Sequence, residues 1–339
     1  MKKISLALQG GGSHGAFTWG VLDYLLSKDE LELCSISGTS AGAMNATILA
    51  QGLQSGGKKE AREALKRFWD DVSTIAESSP IKTGVYERLM GSWNIDMTPG
   101  FIFFDLFSRL ASPYQTNPLG YNPLKDIIER HIDFETINKC TSVNLFIAAT
   151  NVRTGRVKVF ERKDLTCEKL MASACIPTMF HAVEIEGEYY WDGGFSGNPP
   201  LFPFLTKQTC SDVLVVQINP QVRNKIPKSS SEINNRINEI TFNQSLLKEL
   251  KFIDFVDRLM DSNENARKKY KRLFLHSISD DINLPRLGAS SKLNAEKDFI
   301  SYLFKLGKKS ANSWFEENYK NIGEKSSIDL RDMFLGTKL

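Results

Sequence analysis

The stretch that decides the fold lies at residues 31–51, with the sequence LELCSISGTSAGAMNATILAQ. Its first part, residues 31–36, is short and mostly apolar, which predicts a buried β-strand. Its last part, from about residue 41 to residue 51, is rich in alanine and apolar nearly all round, which is typical of a central helix. The sequence therefore predicts a strand, a tight turn and a helix in direct succession.

The turn in this stretch is Gly38-Thr39-Ser40-Ala41-Gly42, in which two glycines flank a serine with the spacing G-x-S-x-G. A serine attacks a carbonyl well only when its hydroxyl is exposed, oriented and close to a base, and a sharp turn with small neighbours provides the exposure. We therefore predict that Ser40 is a nucleophile and that Gly38 and Gly42 support its turn. In the simplest alternative, Ser40 only caps the following helix.

A second strand–loop–helix unit precedes this one. The apolar residues 4–8 predict a strand, and they are followed by the loop Gln9-Gly10-Gly11-Gly12-Ser13-His14-Gly15 and by a helix with one apolar face. Two such units in succession indicate a doubly wound α/β sheet. The loop matches G-x-G-x-x-G, but a dinucleotide site requires an acidic residue at the end of the next strand, and that strand ends in Ser37-Gly38-Thr39-Ser40. We therefore favour an oxyanion hole formed by Gly10, Gly11, Gly12, Ser13, His14 and Gly15, with no nucleotide bound.

The rest of the chain divides into a catalytic domain and an extension. We predict strands at residues 143–150, 157–160, 183–185, 189–191, 213–218 and 273–278, and helices at 58–76, 232–261 and 295–322. The stretch 90–124 contains four prolines and an aromatic cluster at 101–107, and we interpret it as an irregular part of a cap or insert at about 77–140. The predicted organisation is an α/β domain at 1–222 and a mainly helical extension at 223–339, packed on the same domain and including the strand at 273–278.

The candidate bases are an aspartate and a histidine. Asp192 lies in Trp191-Asp192-Gly193-Gly194 at the end of a predicted strand, where two glycines permit a turn that holds the carboxylate outward. Among the four histidines, His276 would complete a triad in the chain order Ser40, Asp192, His276, which is that of α/β-hydrolases. However, His276 lies in an apolar strand pattern, where a buried structural histidine is the usual finding.

Composition excludes several classes of protein. The net charge is +3, from 43 basic and 40 acidic residues, which gives no support for a nucleic-acid partner. The five cysteines lack C-x-x-C spacing, so we expect neither a disulfide framework nor a zinc or other metal site. Neither a signal peptide nor a run of ~20 apolar residues is visible. We therefore expect a cytoplasmic protein; peripheral membrane binding and export without an N-terminal signal stay open.

Together these motifs resemble those of the patatin-like phospholipase family. The residues 10–15 resemble its oxyanion loop, 38–42 its nucleophile elbow and 192–194 its Asp-Gly-Gly motif, and Ala172-Ser173-Ala174-Cys175-Ile176-Pro177 resembles a segment that precedes that aspartate. The resemblance covers at least residues 4–220. The stretch 236–243 is similar to the bacterial branch of the family, which carries a helical C-terminal extension.

The resemblance implies a three-layer α/β/α fold with a mostly parallel central sheet. It also implies a Ser40–Asp192 dyad that cleaves lipid esters through an acyl-enzyme, with no metal or cofactor. Where the family's loop usually has Arg or Lys, this chain has His14, which puts the strength or the pH range of catalysis in question. Two other functions stay open, a thioesterase or acyltransferase with the same dyad and a non-catalytic lipid-binding protein. The aromatic cluster at 101–107 is a candidate lid.

Overall fold

The computed structural model describes residues 1–76, 82–84, 93–96, 98–206, 210–223 and 225–331, without the side chains of 104–109, 206 and 231. Its strands are β1 (Lys2–Leu8), β2 (Leu31–Thr39), β3 (Asn144–Asn151), β4 (Val157–Glu161), β5 (Val183–Ile185), β6 (Glu188–Asp192), β7 (Asp212–Val216) and β8 (Phe274–Ile278). Its helices are α1 (Gly15–Leu26), α2 (Ala41–Ala76), α3 (Pro99–Leu110), α4 (Pro113–Thr116), α5 (Pro123–His131), α6 (Phe134–Lys139), α7 (Cys167–Ser173), α8 (Phe202–Thr206), α9 (Ser230–Ser262), α10 (Glu264–Lys269) and α11 (Lys297–Asn318).

The eight strands form one sheet in the order β5-β6-β3-β2-β1-β7-β8, with β4 paired to β3. The pairs β3–β2, β2–β1, β1–β7 and β7–β8 are parallel, whereas β3 pairs antiparallel with β4 and β6, and β5 pairs antiparallel with β6. The mostly parallel sheet that the sequence predicts is therefore confirmed.

Helices cover both faces of the sheet, because the side chains of β1 alternate between two cores. Ile4, Leu6 and Leu8 join the larger core, which includes side chains from α1, α2 and α11. Ala7 joins a smaller core on the other face, which includes Leu246 of α9. The fold is thus the expected three-layer α/β/α arrangement.

The register of the sheet brings the two glycine-containing loops to one edge. Leu8, the last residue of β1, pairs with Gly38 of β2 and with Val216 of β7. The loop after β1 and the turn after β2 therefore leave the sheet side by side, at the carboxyl ends of parallel strands, where ligands bind in open α/β sheets.

The stretch 90–124 differs from the sequence prediction. Instead of being irregular, its described part contains α3, α4 and the start of α5, and each of these helices begins at a proline, Pro99, Pro113 or Pro123. Proline is favoured in the first turn of a helix because the amide it lacks has no partner there. Residues 85–92 and 97 lie outside the described part.

The predicted C-terminal extension contributes to all three layers. The helix α9 packs on one face and α11 on the other, where Phe304 of α11 lies 4.1 Å, centroid to centroid, from Trp19 of α1. The strand β8 pairs with β7 at the edge of the sheet. The domain boundary at residue 222 stays a prediction. No helix in the described ranges is long and apolar enough to cross a membrane.

Candidate active site

Ser40 lies in a tight turn that only small neighbours permit. Its φ angle is +55°, in the left-handed region that non-glycine residues rarely adopt, and its carbonyl oxygen accepts the amides of Ala43 and Met44 at the start of α2. A Cβ on Gly38 would lie 2.5 Å from the carbonyl oxygen of Gly42, so a side chain there would collide with the backbone. Backbone strain of this kind costs on the order of 1 kcal/mol or more and is concentrated at functional sites.

Ser173 holds this turn from another part of the chain. Its hydroxyl oxygen accepts the backbone amide of Ser40 at 2.9 Å, and both groups are buried. Ser173 is the last residue of α7 and belongs to the segment 172–177 quoted above. The resemblance gave a signal for this segment, but sequence reasoning assigned no role to Ser173.

Asp192 reaches Ser40 because of the way three strands pair with β3. Along β3, Ala148 pairs with Thr39 of β2, and the next residue, Ala149, pairs with Asp192 of β6. Because β4 occupies the other side of β3 at both positions, β2 and β6 lie end to end on the same side. Asp192 therefore follows directly on the end of β2, and its carboxylate lies close enough to the Ser40 side chain for the serine to favour its ionised form.

The Asp192 carboxylate is almost completely buried, with 1% of the residue exposed. Burial raises its pKa from 3.8 to about 6, although hydrogen bonds from the Gly194 amide and the Ser40 side chain, and the charge of Lys292, act in the opposite direction. The Gly194 amide donates to Asp192 Oδ1 at 2.7 Å, and Gly193 is buried at the start of the same turn. Both predicted supporting glycines therefore lie beside the carboxylate.

The six residues of the predicted oxyanion loop lie in different environments. Gly11 and Gly12 line one cavity with Ser40, and their amides donate to no protein acceptor in the described part of the chain. The Gly10 amide is occupied, since it donates to Asn198 Oδ1 at 2.7 Å. Ser13 and His14 lie in a turn of 3₁₀ helix, and Gly15 begins α1 with its amide bonded inside that turn.

His14 points away from the cavity. Its Nε2 lies 2.8 Å from Ser291 Oγ, and the residue is 2% exposed. Burial, reinforced by the charge of Lys292, lowers the pKa of His14 to about 3. The imidazole is therefore neutral at physiological pH. The sequence suggests a partly charged histidine at this position, and the structure differs because the ring is buried.

His276 does not complete a triad. It pairs with Leu214 of β7, in the interior of the sheet, and its ring nitrogens lie 3.0 Å from Asp212 Oδ1 and 3.0 Å from Ser327 Oγ. No histidine lines the cavity that contains Ser40 and Asp192 in the part of the chain that the structure describes. The ionisable side chain that lines this cavity beside Ser40 is therefore that of an aspartate, Asp192.

A network of buried amide side chains supports the glycine loop. Gln9 Oε1 accepts the amides of Ile218 and Asn219, and Asn219 Nδ2 in turn donates to the Gly10 carbonyl oxygen at 2.7 Å. The same Gln9 donates from Nε2 to Asn243 of α9 at 3.3 Å. Sequence reasoning missed these residues, because polar residues far apart along the chain give no local pattern.

The cavity over Ser40 has a volume of about 560 Å³ and is formed by both predicted parts of the chain. Its apolar lining includes Phe101, Ile176, Pro177, Met179, Phe195, Ile237, Phe242 and Leu293, and its polar lining includes Asp96, Asn234, Asn235, Asn238, Ser290 and Lys292. The extension therefore forms a large part of the wall of the site. This volume fits the size of pockets that bind small organic ligands.

Exposed apolar side chains lie near two of the lining residues. The side chains of Ile102 and Phe103 follow the lining residue Phe101 in the sequence, and they are 50% and 69% exposed. On α9, the side chains of Ile233, Ile237 and Ile240 lie on one helical face and are 43–55% exposed, and Ile237 also lines the cavity. We call these five exposed residues the apolar rim. The side chains of the candidate lid at 104–107 lie outside the described part.

Comparison with known protein families gives a match over most of the chain. A family model described as patatin-like phospholipase matches residues 6–205, which is more than half of the chain. The chain belongs to the patatin-like phospholipase family. It is therefore a member of a family of lipid hydrolases, and a lipid is the substrate class that the family indicates.

A curated relative is a cGAMP-activated phospholipase of Escherichia coli, 27% identical in an alignment of 222 residues that covers 58% of this chain and 53% of the relative. The chain thus matches about half the length of that relative. Two solved structures are also similar. VipD from Legionella pneumophila is 15% identical with a TM-score of 0.39, covering 99% of this chain and 73% of VipD. The type III effector ExoU is 16% identical with a TM-score of 0.33, covering 92% and 53%.

No group of His, Cys, Asp and Glu side chains that could hold a metal ion occurs in the described ranges. None of the five cysteines, all of which lie in the described part of the chain, forms a disulfide.

Proposed function

We propose that this protein is a phospholipase A-like lipid acyl hydrolase that uses Ser40 and Asp192 as a catalytic dyad. The observation that carries the proposal is that Ser40, on its strained turn, and the buried Asp192 line one cavity side by side. A serine next to a base that can take its proton is the minimum arrangement for nucleophilic catalysis.

In the proposed first step, Ser40 Oγ attacks the carbonyl carbon of the lipid ester, and its proton passes to the Asp192 carboxylate. The tetrahedral intermediate places a negative charge on the former carbonyl oxygen. Free amides aimed at that oxygen are effective because they are fixed before the reaction begins. Gly11 and Gly12 supply the candidate amides, whereas that of Gly10 is held by Asn198.

In the second half of the reaction, Asp192 returns the proton to the leaving alcohol as the bond to the acyl group breaks. Water then attacks the acyl–Ser40 ester while Asp192 takes its proton, and that proton passes to Ser40 Oγ as the fatty acid is released. A pKa of about 6 suits both roles, because the carboxyl group is mostly ionised near neutral pH yet is basic enough to hold a proton transiently.

The apolar rim supports a substrate that lies in a membrane or micelle. Exposed apolar side chains around the mouth of a cavity can insert among acyl chains, and burial of their surface drives that contact. We therefore propose that the rim, including the described part of the candidate lid, rests on the lipid surface. The protein would then be membrane-peripheral while it works.

Release of fatty acid from phospholipid vesicles tests the proposed function. We expect turnover by the wild type and a loss of at least about a thousandfold in Ser40→Ala, because the residual rate without the nucleophile comes only from binding and the oxyanion hole. Asp192→Asn should be similarly impaired. Folded wild-type protein that releases no fatty acid, or Ser40→Ala protein that keeps its activity, would contradict the proposal.

A further inference from the structure

The segment of the extension at residues 288–294 is seated directly on the glycine loop. Ser291 bonds to His14, and the carbonyl oxygen of Lys292 lies only 2.4 Å from the point where a Cβ on Gly12 would be. Gly12 also has a φ of +57°, so a side chain at this position would be both strained and obstructed. The segment therefore has a fixed position relative to the loop.

The side chain of Lys292 extends from this segment into the catalytic cavity. Its Nζ donates to Asn219 Oδ1 at 2.7 Å, and Asn219 in turn holds the Gly10 carbonyl oxygen. The same Nζ lies 5.1 Å from the centroid of the Phe242 ring. Lys292 lines the cavity with Ser40 and Asp192.

The ammonium group of Lys292 has donors to spare. It carries three N–H donors, and one of them is used by Asn219. It forms no salt bridge with any residue in the described ranges. Burial lowers the pKa of Lys292 to about 8, so the group is mostly charged at neutral pH. Lys292 is half-buried, and a partly desolvated cation without a paired anion is unfavourable, so an anion that enters the cavity will be attracted to it.

The surroundings of Lys292 fit a polar headgroup better than an acyl chain. Among the described residues, most of the polar side chains that line the cavity come from the extension. These are Lys292, Asn234, Asn235, Asn238 and Ser290. Asp96, from the insert, adds one carboxylate to this lining. The apolar side chains Ile176, Pro177 and Met179 line another part of the wall and can accept a hydrocarbon chain.

We propose that Lys292 binds the phosphodiester of a phospholipid and so makes the enzyme select phospholipids over neutral acylglycerols. The proposal rests on the proposed function and names its substrate class. In a phospholipid, the phosphate is only a few bonds from the ester carbonyl, so one molecule can place its carbonyl at Ser40 and its phosphate at Lys292. Because the lysine is tied to the loop through Asn219, the headgroup would also be held in a fixed position relative to the oxyanion site.

The test compares kcat/KM for phosphatidylcholine and for diacylglycerol with identical acyl chains, both in neutral detergent micelles. We expect the ratio of the two values to fall about 10- to 100-fold in Lys292→Met, the range of a lost hydrogen bond to a charged group. Lys292→Arg, which keeps the cation, should retain most of the ratio. As a control, Lys66→Met removes a surface lysine of α2 that forms an ion pair with Asp70, and this change should leave the ratio unchanged.

The possible outcomes separate this proposal from the proposed function. Suppose that the wild type cleaves both lipids. If Lys292→Met then keeps the wild-type ratio, or loses both activities equally, the proposed phosphate site is overturned and the proposed hydrolase function stands. A wild type that cleaves neither lipid would overturn both.

A second measurement does not depend on the folding of a Lys292 variant. The Ser40→Ala protein, with Lys292 intact, is titrated with monomeric dihexanoyl phosphatidylcholine and with dihexanoylglycerol. We expect binding of the phosphate-bearing lipid to be at least about tenfold tighter. Equal affinity for the two lipids would overturn the proposal.

Discussion

Replacing Asp192 by asparagine should make the protein more stable at neutral pH while abolishing its activity. The carboxylate is buried, and burial raises its pKa from 3.8 to about 6. This difference means that the folded state holds the ionised form less favourably than the unfolded chain does. Asparagine has nearly the same shape, keeps an oxygen that can accept the Gly194 amide and carries no charge.

The magnitude follows from the shift in pKa. About two units at 1.36 kcal/mol per unit correspond to a penalty of about 3 kcal/mol when the group is ionised in both states. Well below pH 3.8 the carboxyl group is protonated in both states, and the penalty vanishes. It grows as the pH rises from 3.8 to 6, because over this range the unfolded chain ionises first, and it is constant above pH 6.

Urea unfolding of both proteins at pH 8 and pH 4.5 measures the effect. We expect Asp192→Asn to gain about 3 kcal/mol at pH 8 and only about 1 kcal/mol at pH 4.5. For a chain of 339 residues, a gain of 3 kcal/mol corresponds to a rise in Tm of about 4 °C. Ser40→Ala is the matched control, because it is also inactive but keeps the buried carboxylate, and it should show no such gain.

Two results would refute this reasoning. If Asp192→Asn is no more stable than the wild type at pH 8, the carboxylate is not held at an energetic cost. If its advantage is the same at pH 4.5 as at pH 8, the gain does not come from the charge.

Four further expectations concern the same site. The value of kcat/KM should rise with pH through an apparent pKa of about 6, because Asp192 must be ionised to accept a proton; a flat profile from pH 5 to 8 would argue against it. Ser173→Ala should lower kcat about tenfold with little change in KM, because the Ser40 amide loses its acceptor; unchanged steady-state kinetics would show that the bond is dispensable. His276→Asn should lower the free energy of unfolding by about 1–3 kcal/mol yet keep the activity of the folded protein, and near-complete loss of ester turnover would restore the triad. The paired change of Phe103 and Ile240 to serine should reduce activity on vesicles at least about tenfold more than on a soluble short-chain ester, whereas equal losses would remove the apolar rim from membrane contact.

The centre of the fold, and the turns that carry Ser40 and Asp192, could be predicted from local sequence. Residues 31–51 combine an apolar strand, a glycine-flanked turn and a central helix, and the structure contains each of these elements. The role of Ser40 and the role of Asp192 stay predictions, although the structure brings the two side chains together. Both residues lie in short motifs whose glycines are needed for close backbone contacts, so a few adjacent letters carry the information.

The helices of the insert were harder to predict, because proline both interrupts regular structure and favours the first turn of a helix. In a sequence, Pro99, Pro113 and Pro123 suggest breaks in regular structure. In the structure, each stands at the first position of a helix, where its missing amide costs nothing. The prolines that suggest an irregular stretch in the sequence are therefore the residues at which these three helices begin.

The support of the glycine loop could not be predicted, because it is built from distant parts of the chain. Asn198, Asn219 and Lys292 lie 188 to 282 residues beyond the loop, counted from Gly10, and no periodic pattern connects them to it. His14 illustrates the consequence: its neutrality results from burial beneath Ser291, which the loop sequence does not reveal. The positive charge at the site comes instead from Lys292 of the extension.

Labelling with a fluorophosphonate probe tests the central claim most directly, because the probe bonds covalently only to an activated serine. The labelled protein is digested, and the modified residue is located by mass spectrometry. We expect one label, on Ser40, with labelling much slower in Asp192→Asn and absent in Ser40→Ala. Absence of labelling in folded wild-type protein, or a label on another serine, would contradict the assignment of Ser40 and Asp192 as the catalytic pair.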